Sequence, residues 1–304
     1  MSIEIVPPEA EALLDWTALG DAFLAGHRMP KAEVADSFLY RGADTMLSRA
    51  AWIDGLGSAV KTANIVPGNT ARGLGSIQGA VNLYNDQTGA LEALVDFLLV
   101  TKWKTAGDSV LGARLLARPD SEVILIVGAG TVARSLREAY GATFPAARFL
   151  IWNRSPAGAE AIATDFPDTD VAPDLEAAVR AADIVTSATM TTEPILKGDW
   201  LKPGQHIDLI GAYRPDMREA DDAALKRARL FMDSRETVLD HIGEFKDPLA
   251  RGVISRDDVV GDYYDVASGA FSRAPEDITL FKNGGGAHLD LMTSTYILEA
   301  WRER

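Results

Sequence analysis

Gly128-Ala129-Gly130-Thr131-Val132-Ala133 ends an apolar run and opens a helical pattern. Such a run can cradle the pyrophosphate of a dinucleotide. Gly128 permits a tight turn, Gly130 lets phosphate approach the backbone at the positive end of a helix, and the small Ala133 allows close helix–strand packing. A plain strand–helix turn is the bland alternative, because a lone glycine signature is weak. About twenty residues further on, where such folds keep their ribose selector, the chain reads Asn153-Arg154-Ser155. A missing carboxylate beside an arginine suits the 2′-phosphate of NADP(H), so that cofactor is favoured and NAD(H) is the alternative. Arg154 as a solvated residue stacked on adenine is the other reading. A second signal is Lys61, alone among apolar and small residues in "GSAVKTANI". A single lysine in a buried alternation marks a site group or, more blandly, a strand edge.

These residues need a scaffold, and bulk properties bound it. A chain of 304 residues makes one large domain or two ordinary ones. With 47% hydrophobic and 24% charged residues it can bury a full core. A formal charge of −14 argues against nucleic acid, which needs a basic face. It does not exclude a small anionic substrate, since a site can be locally basic. The absence of cysteine excludes disulfides, thiolate nucleophiles and Cys-ligated metals. His27, His206 and His241 show no ligand spacing, and no metal is expected. No apolar run approaches the roughly 18 residues of a membrane span. The N-terminal stretch has neither a basic region nor an apolar core, so a cytoplasmic protein is expected.

Along the chain, residues 9–26 read as a helix closed by Gly26 and Pro30. Residues 34–66 read as short strands broken by Gly42, Gly55 and Gly57. A hairpin turns at Asn85-Asp86-Gln87-Thr88-Gly89, and a helix runs from Phe97 to Leu116. Beyond Pro119, strand and helix alternate from "EVILIVGAG" through "RFLIWN", "DIVTSAT" and "HIDLIGA" to a last strand, "RLFMD". That alternation predicts an α/β fold: a Rossmann-type doubly wound parallel sheet, beside a smaller α+β domain. A final helix is expected over 288–303. The boundaries fall at 1–118 plus 287–304 for the smaller domain and 119–286 for the Rossmann domain.

The motifs "AVKTANIVPGN", "VTKWKTAGDSVLGARLL", "VGAGTVA", "WNR", "TMTTEPIL", "IGAYRPDMREAD", "DSRE" and "LFKNGGGAHLD" occur in order. Together they resemble the ornithine cyclodeaminase/μ-crystallin family over most of the chain. The resemblance implies a substrate-binding and dimerisation domain completed by the C-terminal helix, a Rossmann domain between, and a homodimer. Family members reduce imines of α-keto acids, act as alanine dehydrogenases, or cyclise ornithine. One binds hormone without turnover as its role.

The resemblance also assigns roles. The lysine matching Lys61 binds the substrate carboxylate and lies near the reacting carbon. Lys104 falls where many members carry a carboxylate-binding arginine; a solvated helix lysine is its bland reading. Thr105 and Asp108 lie on neighbouring helical faces, Asp108 orienting a cation, touching the ribose, or being a surface acid. The family's N-terminal arginine is replaced by Lys31. Arg49 is the better candidate for a second carboxylate clamp, with Arg41 the other choice. If Arg49 and Lys61 share a pocket, a dicarboxylic imine such as iminosuccinate fits. Apart from the resemblance, Thr189 and Met190 follow the strand "DIVTSAT" at the carboxyl end of the sheet, where open α/β folds bind ligands, and are expected to line the nicotinamide ribose, while Gly211 allows close backbone approach. Gly284, Gly285 and Gly286 form a hinge-like return that can cover the nicotinamide. His288 is a proton donor or a packing residue. Cyclodeaminases carry an aspartate two residues before the proline of "RPDMREAD". Here that position, before Pro215, is Tyr213, whose phenol of pKa about 10 cannot replace a carboxylate at neutral pH. Tyr213, Lys61 or water is left as proton source. The expected function is NAD(P)H-dependent reduction of an imine of an α-keto acid to an L-amino acid. Cyclodeamination, alanine dehydrogenation and non-catalytic NADPH-dependent binding are the alternatives.

Overall fold

The computed structural model describes residues 3–304. Its chain divides into two compact units, one ending at Lys104 and resuming over Gly286–Arg304, the other spanning Thr105–Gly285.

The first unit contains β1 (Glu4–Val6), α1 (Trp16–Gly26), β2 (Glu33–Arg41), β3 (Asp44–Ile53), β4 (Gly57–Ile65), β5 (Ile77–Tyr84) and β6 (Leu91–Asp96). The sheet order is β1-β6-β5-β4-β3-β2, antiparallel except for the β1–β6 pair. Residues 9–26 do not form one helix. A short 3-10 turn over Pro8–Leu13 precedes α1, and the Asp15 carboxylate starts the latter by accepting from the Ala18 N–H at 2.8 Å. The glycines read as strand breaks are hairpin turns: Gly42 (φ +59°) joins β2 to β3, and Gly55 (φ +86°) joins β3 to β4.

Helix α2 (Phe97–Leu116) is as long as the sequence predicts, but the division falls inside it, at Lys104/Thr105, rather than at 118/119. The reason lies in the partners of its later turns. The Tyr263 hydroxyl donates to the Asp108 carbonyl at 2.7 Å, the Asn283 amide donates to the Thr105 carbonyl at 2.9 Å, and Gly112 lies against the Phe281 ring.

The second unit continues with β7 (Val123–Val127), α3 (Thr131–Thr143), β8 (Arg148–Trp152), α4 (Pro156–Asp165), β9 (Thr169–Val171), α5 (Leu175–Ala181), β10 (Ile184–Ser187) and β11 (His206–Leu209). It then adds α6 (Asp222–Arg227), β12 (Arg229–Met232), α7 (Arg235–Val238), α8 (Gly243–Ala250), β13 (Val259–Asp262) and β14 (Thr279–Lys282). All its strand pairs are parallel, in the order β13-β12-β14-β11-β10-β7-β8-β9. The central strands are buried on both faces, as helices on either side require, β7 with apolar residues alone and β10, β11 and β14 with polar ones among them. "RLFMD" is therefore not the last strand. Two more follow, and β14 inserts between β11 and β12. The chain then returns to the first unit as α9 (Ala287–Arg302). Among the described residues, no helix is long and apolar enough to cross a membrane.

Candidate functional site

In the second unit, β7 ends at the glycine motif. Gly128 adopts φ +109° and donates its N–H to the Trp152 carbonyl at 2.8 Å. A Cβ there would meet the Ala188 carbonyl oxygen at 2.7 Å, so the turn requires glycine. At Gly130, the N-cap of α3, a Cβ would enter open space. A pocket of about 340 Å³ lies over this edge, bounded by Gly128, Ala129, Gly130, Asn153, Arg154, Thr189 and Met190 together with Trp152, Ala188, Thr191 and Ile195. Seven sequence-predicted residues thus meet at one crevice. Thr131 and Val132 open α3, and Ser155 caps α4, just outside this lining. The Asn153 amide turns back on its own loop, donating to the Ser155 carbonyl at 2.8 Å, whereas Arg154 is exposed at the lip.

The loops that form the crevice are held by a residue the sequence reading overlooked. Glu219 is fully buried. Its Oε1 accepts from the Ser187 hydroxyl (2.6 Å), the Thr189 N–H (2.8 Å) and the Thr189 hydroxyl (2.7 Å). Its Oε2 accepts from the N–H groups of Gly211 (2.6 Å) and Ala212 (3.3 Å). One carboxylate therefore ties the loop after β10 to the loop after β11. Burial raises the pKa of Glu219, while Lys282 and these donors act against that rise. Gly211 is needed because a Cβ would strike the Thr189 carbonyl at 1.9 Å. The close approach that Gly211 allows within the protein is to the Thr189 backbone.

Beneath these loops lies a polar core. The Lys282 ammonium donates to the carbonyls of Leu209 (2.9 Å) and Asn283 (2.7 Å), and its positive charge opposes the buried charges of Glu219, Glu244 and Asp233. Glu244 accepts from the Glu219 and Ala220 N–H groups; burial and then Glu219 push its pKa to about 7. Asp208 accepts from Tyr140 and Thr186, and burial raises it to about 6. Asp108 is fully buried, which excludes the surface-acid reading. Asp233 accepts from the Gly285 N–H at 2.7 Å and so fixes the glycine return, where Gly285 has φ +67°. Tyr213 is 57% exposed, with the Arg214 guanidinium 5.7 Å from its ring centroid.

The first unit gathers a cationic cluster. Asp36, Arg49, Lys61 and Val81 occupy one cross-strand row from β2 to β5. Lys61 is buried, and its ammonium donates to Asp290 Oδ1 on α9 at 2.8 Å. The Phe97 ring lies 4.9 Å from the same nitrogen. Burial lowers the Lys61 pKa to about 8. Asp290 opposes that shift, while Lys104 and Arg49 reinforce it. Lys104 is buried too, so it is not a solvated helix lysine. Asp290 was another residue missed from sequence, although an acid within an apolar helix face, "HLDLM", was its signal.

Arg49 departs from expectation. Its Nη2 and Nε meet the two Asp36 oxygens at 2.8 and 3.2 Å, so its fork is already engaged. Arg41 is exposed and paired with Asp44 at 2.9 Å in the hairpin. His288 is buried edge-on to His27, with ring centroids 5.2 Å apart. Burial, followed by the charge of Lys104, lowers its pKa to about 3, so it is a neutral imidazole at physiological pH and not a cationic acid.

Comparison with known proteins agrees with this arrangement. Residues 44–304 match the sequence model of the ornithine cyclodeaminase/mu-crystallin family. The chain is 53% identical to a Delta(1)-pyrroline-2-carboxylate reductase of Paracoccus denitrificans over 95% of its length and 94% of the relative's. It is 33% identical to the ketimine reductase mu-crystallin of Rattus norvegicus, covering 98% of this chain and 92% of that one. Among solved structures, the Delta(1)-pyrroline-2-carboxylate reductase of Thermococcus litoralis, in complex with NADH and L-proline, superposes with a TM-score of 0.87. It is 26% identical, with 99% of this chain and 98% of that one covered.

Proposed function

The chain belongs to the ornithine cyclodeaminase/mu-crystallin family, and from that premise we propose that it reduces a cyclic imine carboxylate, Δ1-pyrroline-2-carboxylate foremost, to the L-amino acid with NAD(P)H. The observation that carries this reading is the buried Lys61–Asp290 pair, in which the lysine pKa falls to about 8.

The crevice residues fit a dinucleotide: Gly130 leaves room where a Cβ would project, at the N-terminus of α3, and Thr189 and Met190 flank it. NADPH is the favoured form, because Arg154 stands at the lip and no described residue of the lining is acidic. A reduced nicotinamide bound there would be the source of the hydride for the imine carbon. Lys104 and Lys61 hold the substrate carboxylate. Lys61 then releases a proton from Nζ to the imine nitrogen, which its lowered pKa favours, and recovers one from solvent. Asp290 keeps the Lys61 amine aimed through this exchange. Exposed apolar side chains on β2 and β3, Phe38, Leu39, Tyr40 and Trp52, suit the homodimer that the family implies.

The test is nicotinamide absorbance with each cofactor and a panel: Δ1-pyrroline-2-carboxylate, Δ1-piperideine-2-carboxylate, pyruvate with an amine, and oxaloacetate with ammonia. Turnover of the cyclic imines supports the reading. Cofactor binding with no turnover of any of them points to a binding protein, and ammonia release from ornithine to a cyclodeaminase.

A further inference from the structure

Arg49 stands beside Lys61 in the cross-strand row, the place from which a second substrate carboxylate would be gripped. Its guanidinium is nevertheless committed. Asp36, the opposite residue on β2, takes Nε and Nη2 at 3.2 and 2.8 Å, a side-on bidentate pair. The pair is partly shielded: the Arg49 side chain is 23% exposed and that of Asp36 35%. A dicarboxylic substrate would have to displace Asp36 from the fork or set its own carboxylate beside it. Both cost charge-assisted hydrogen bonds or like-charge repulsion, whereas a monocarboxylate that uses Lys61 meets neither cost.

We propose that Asp36 is a specificity-determining residue which, by occupying the Arg49 fork, restricts this enzyme to imines carrying a single carboxylate. The proposal rests on the imine-reductase reading above. Asp36 acts through Arg49 and touches no substrate.

The experiment compares wild type with Asp36→Asn, Asp36→Ser and the double variant Asp36→Asn/Arg49→Met. Each is assayed with Δ1-pyrroline-2-carboxylate and with iminosuccinate formed from oxaloacetate and ammonia, with oxaloacetate alone as the blank. The readout is the ratio of kcat/KM for the dicarboxylic imine to that for the monocarboxylic one. This ratio is insensitive to the loss of active protein that a merely structural defect produces. In both single variants it rises roughly tenfold or more, as for a newly available charged hydrogen-bond partner. In the double variant the gain disappears. An unchanged ratio, or a gain that survives Arg49→Met, overturns the proposal. So does wild-type enzyme that already reduces iminosuccinate as well as the cyclic imine, an outcome that leaves the imine-reductase reading intact. Wild type that reduces no imine removes both.

Discussion

Lys61 on β4 and Asp290 on α9 form a buried ion pair at 2.8 Å, although 229 residues separate them in the chain. The lysine is the only member of this pair that composition and spacing single out. The aspartate makes its burial tolerable, since a buried charge needs a partner.

Lys61→Met is expected to lower kcat/KM for Δ1-pyrroline-2-carboxylate by roughly two to four orders of magnitude, the usual size of a proton-transfer contribution. It also strands Asp290, at a cost of about 3–5 kcal/mol in urea unfolding. In wild type the donor must be protonated, so kcat/KM falls as pH rises through about 8, the lowered Lys61 value. A profile that stays flat to beyond pH 10 assigns the proton to another group.

Glu219→Gln replaces an acceptor of five hydrogen bonds with an amide whose NH2 faces backbone N–H groups. NAD(P)H affinity, read by cofactor fluorescence, is expected to weaken roughly tenfold or more, with a loss of about 2–3 kcal/mol in stability. Unchanged cofactor affinity in a destabilised variant makes Glu219 a purely structural residue.

Arg154→Ala separates the two cofactors. With the lip arginine gone, kcat/KM for NADPH should drop roughly tenfold while that for NADH moves by less than about twofold. Equal losses for both indicate adenine stacking by Arg154 in place of 2′-phosphate recognition.

His206 and His288 are buried with pKa values lowered to about 3 from 6.5, so they are neutral in the folded chain. Below 6.5 the unfolded chain takes up protons that the folded one refuses. The stability they contribute is present above 6.5 and is lost as pH falls toward about 3. Near pH 5 each ring costs roughly 2 kcal/mol. Glu244 works in the opposite sense, stabilising below its unfolded value and losing that contribution as pH rises through about 7. The test is therefore a difference: His206→Gln should unfold in urea with a shallower loss between pH 7.5 and pH 5 than wild type. Equal slopes place the acid sensitivity elsewhere.

The legible parts of the fold were those with strong local grammar. "VILIV" followed by Gly128 specifies a strand and a tight turn within ten residues, and the 3.6 period fixed α2 and set α9 within one residue of its observed start. Strands β13 and β14, "VVGD" and "TLFK", escaped because the strand–helix alternation breaks there: 3-10 turns over Arg256–Asp258 and Tyr263–Ser268 flank β13, and no α-helix lies between it and β14. Lys282 reads as a strand terminator on local pattern, yet it is fully buried, satisfied by two carbonyls and distant acids. In the site, Lys61, Lys104 and the crevice glycines carry their chemistry in their own type and neighbours. Arg49 does not. Its engagement depends on the register that sets Asp36 opposite it, and register is a property of two strands at once. Glu219 was hidden for a similar reason: its partners are backbone groups of two loops.

The late position of β14 and α9 bears on how the chain matures during synthesis. β14 completes pairing for β11 on one side and β12 on the other, and α9 brings the partner of Lys61. Both lie after all the other described strands, within Thr279–Arg302. Every other strand has therefore left the ribosome before either unit can close its core. Until then β11 and β12 each keep an unpaired edge and Lys61 lacks its counter-charge, so the nascent chain depends on the emergence of β14 and α9 to become two folded units rather than none.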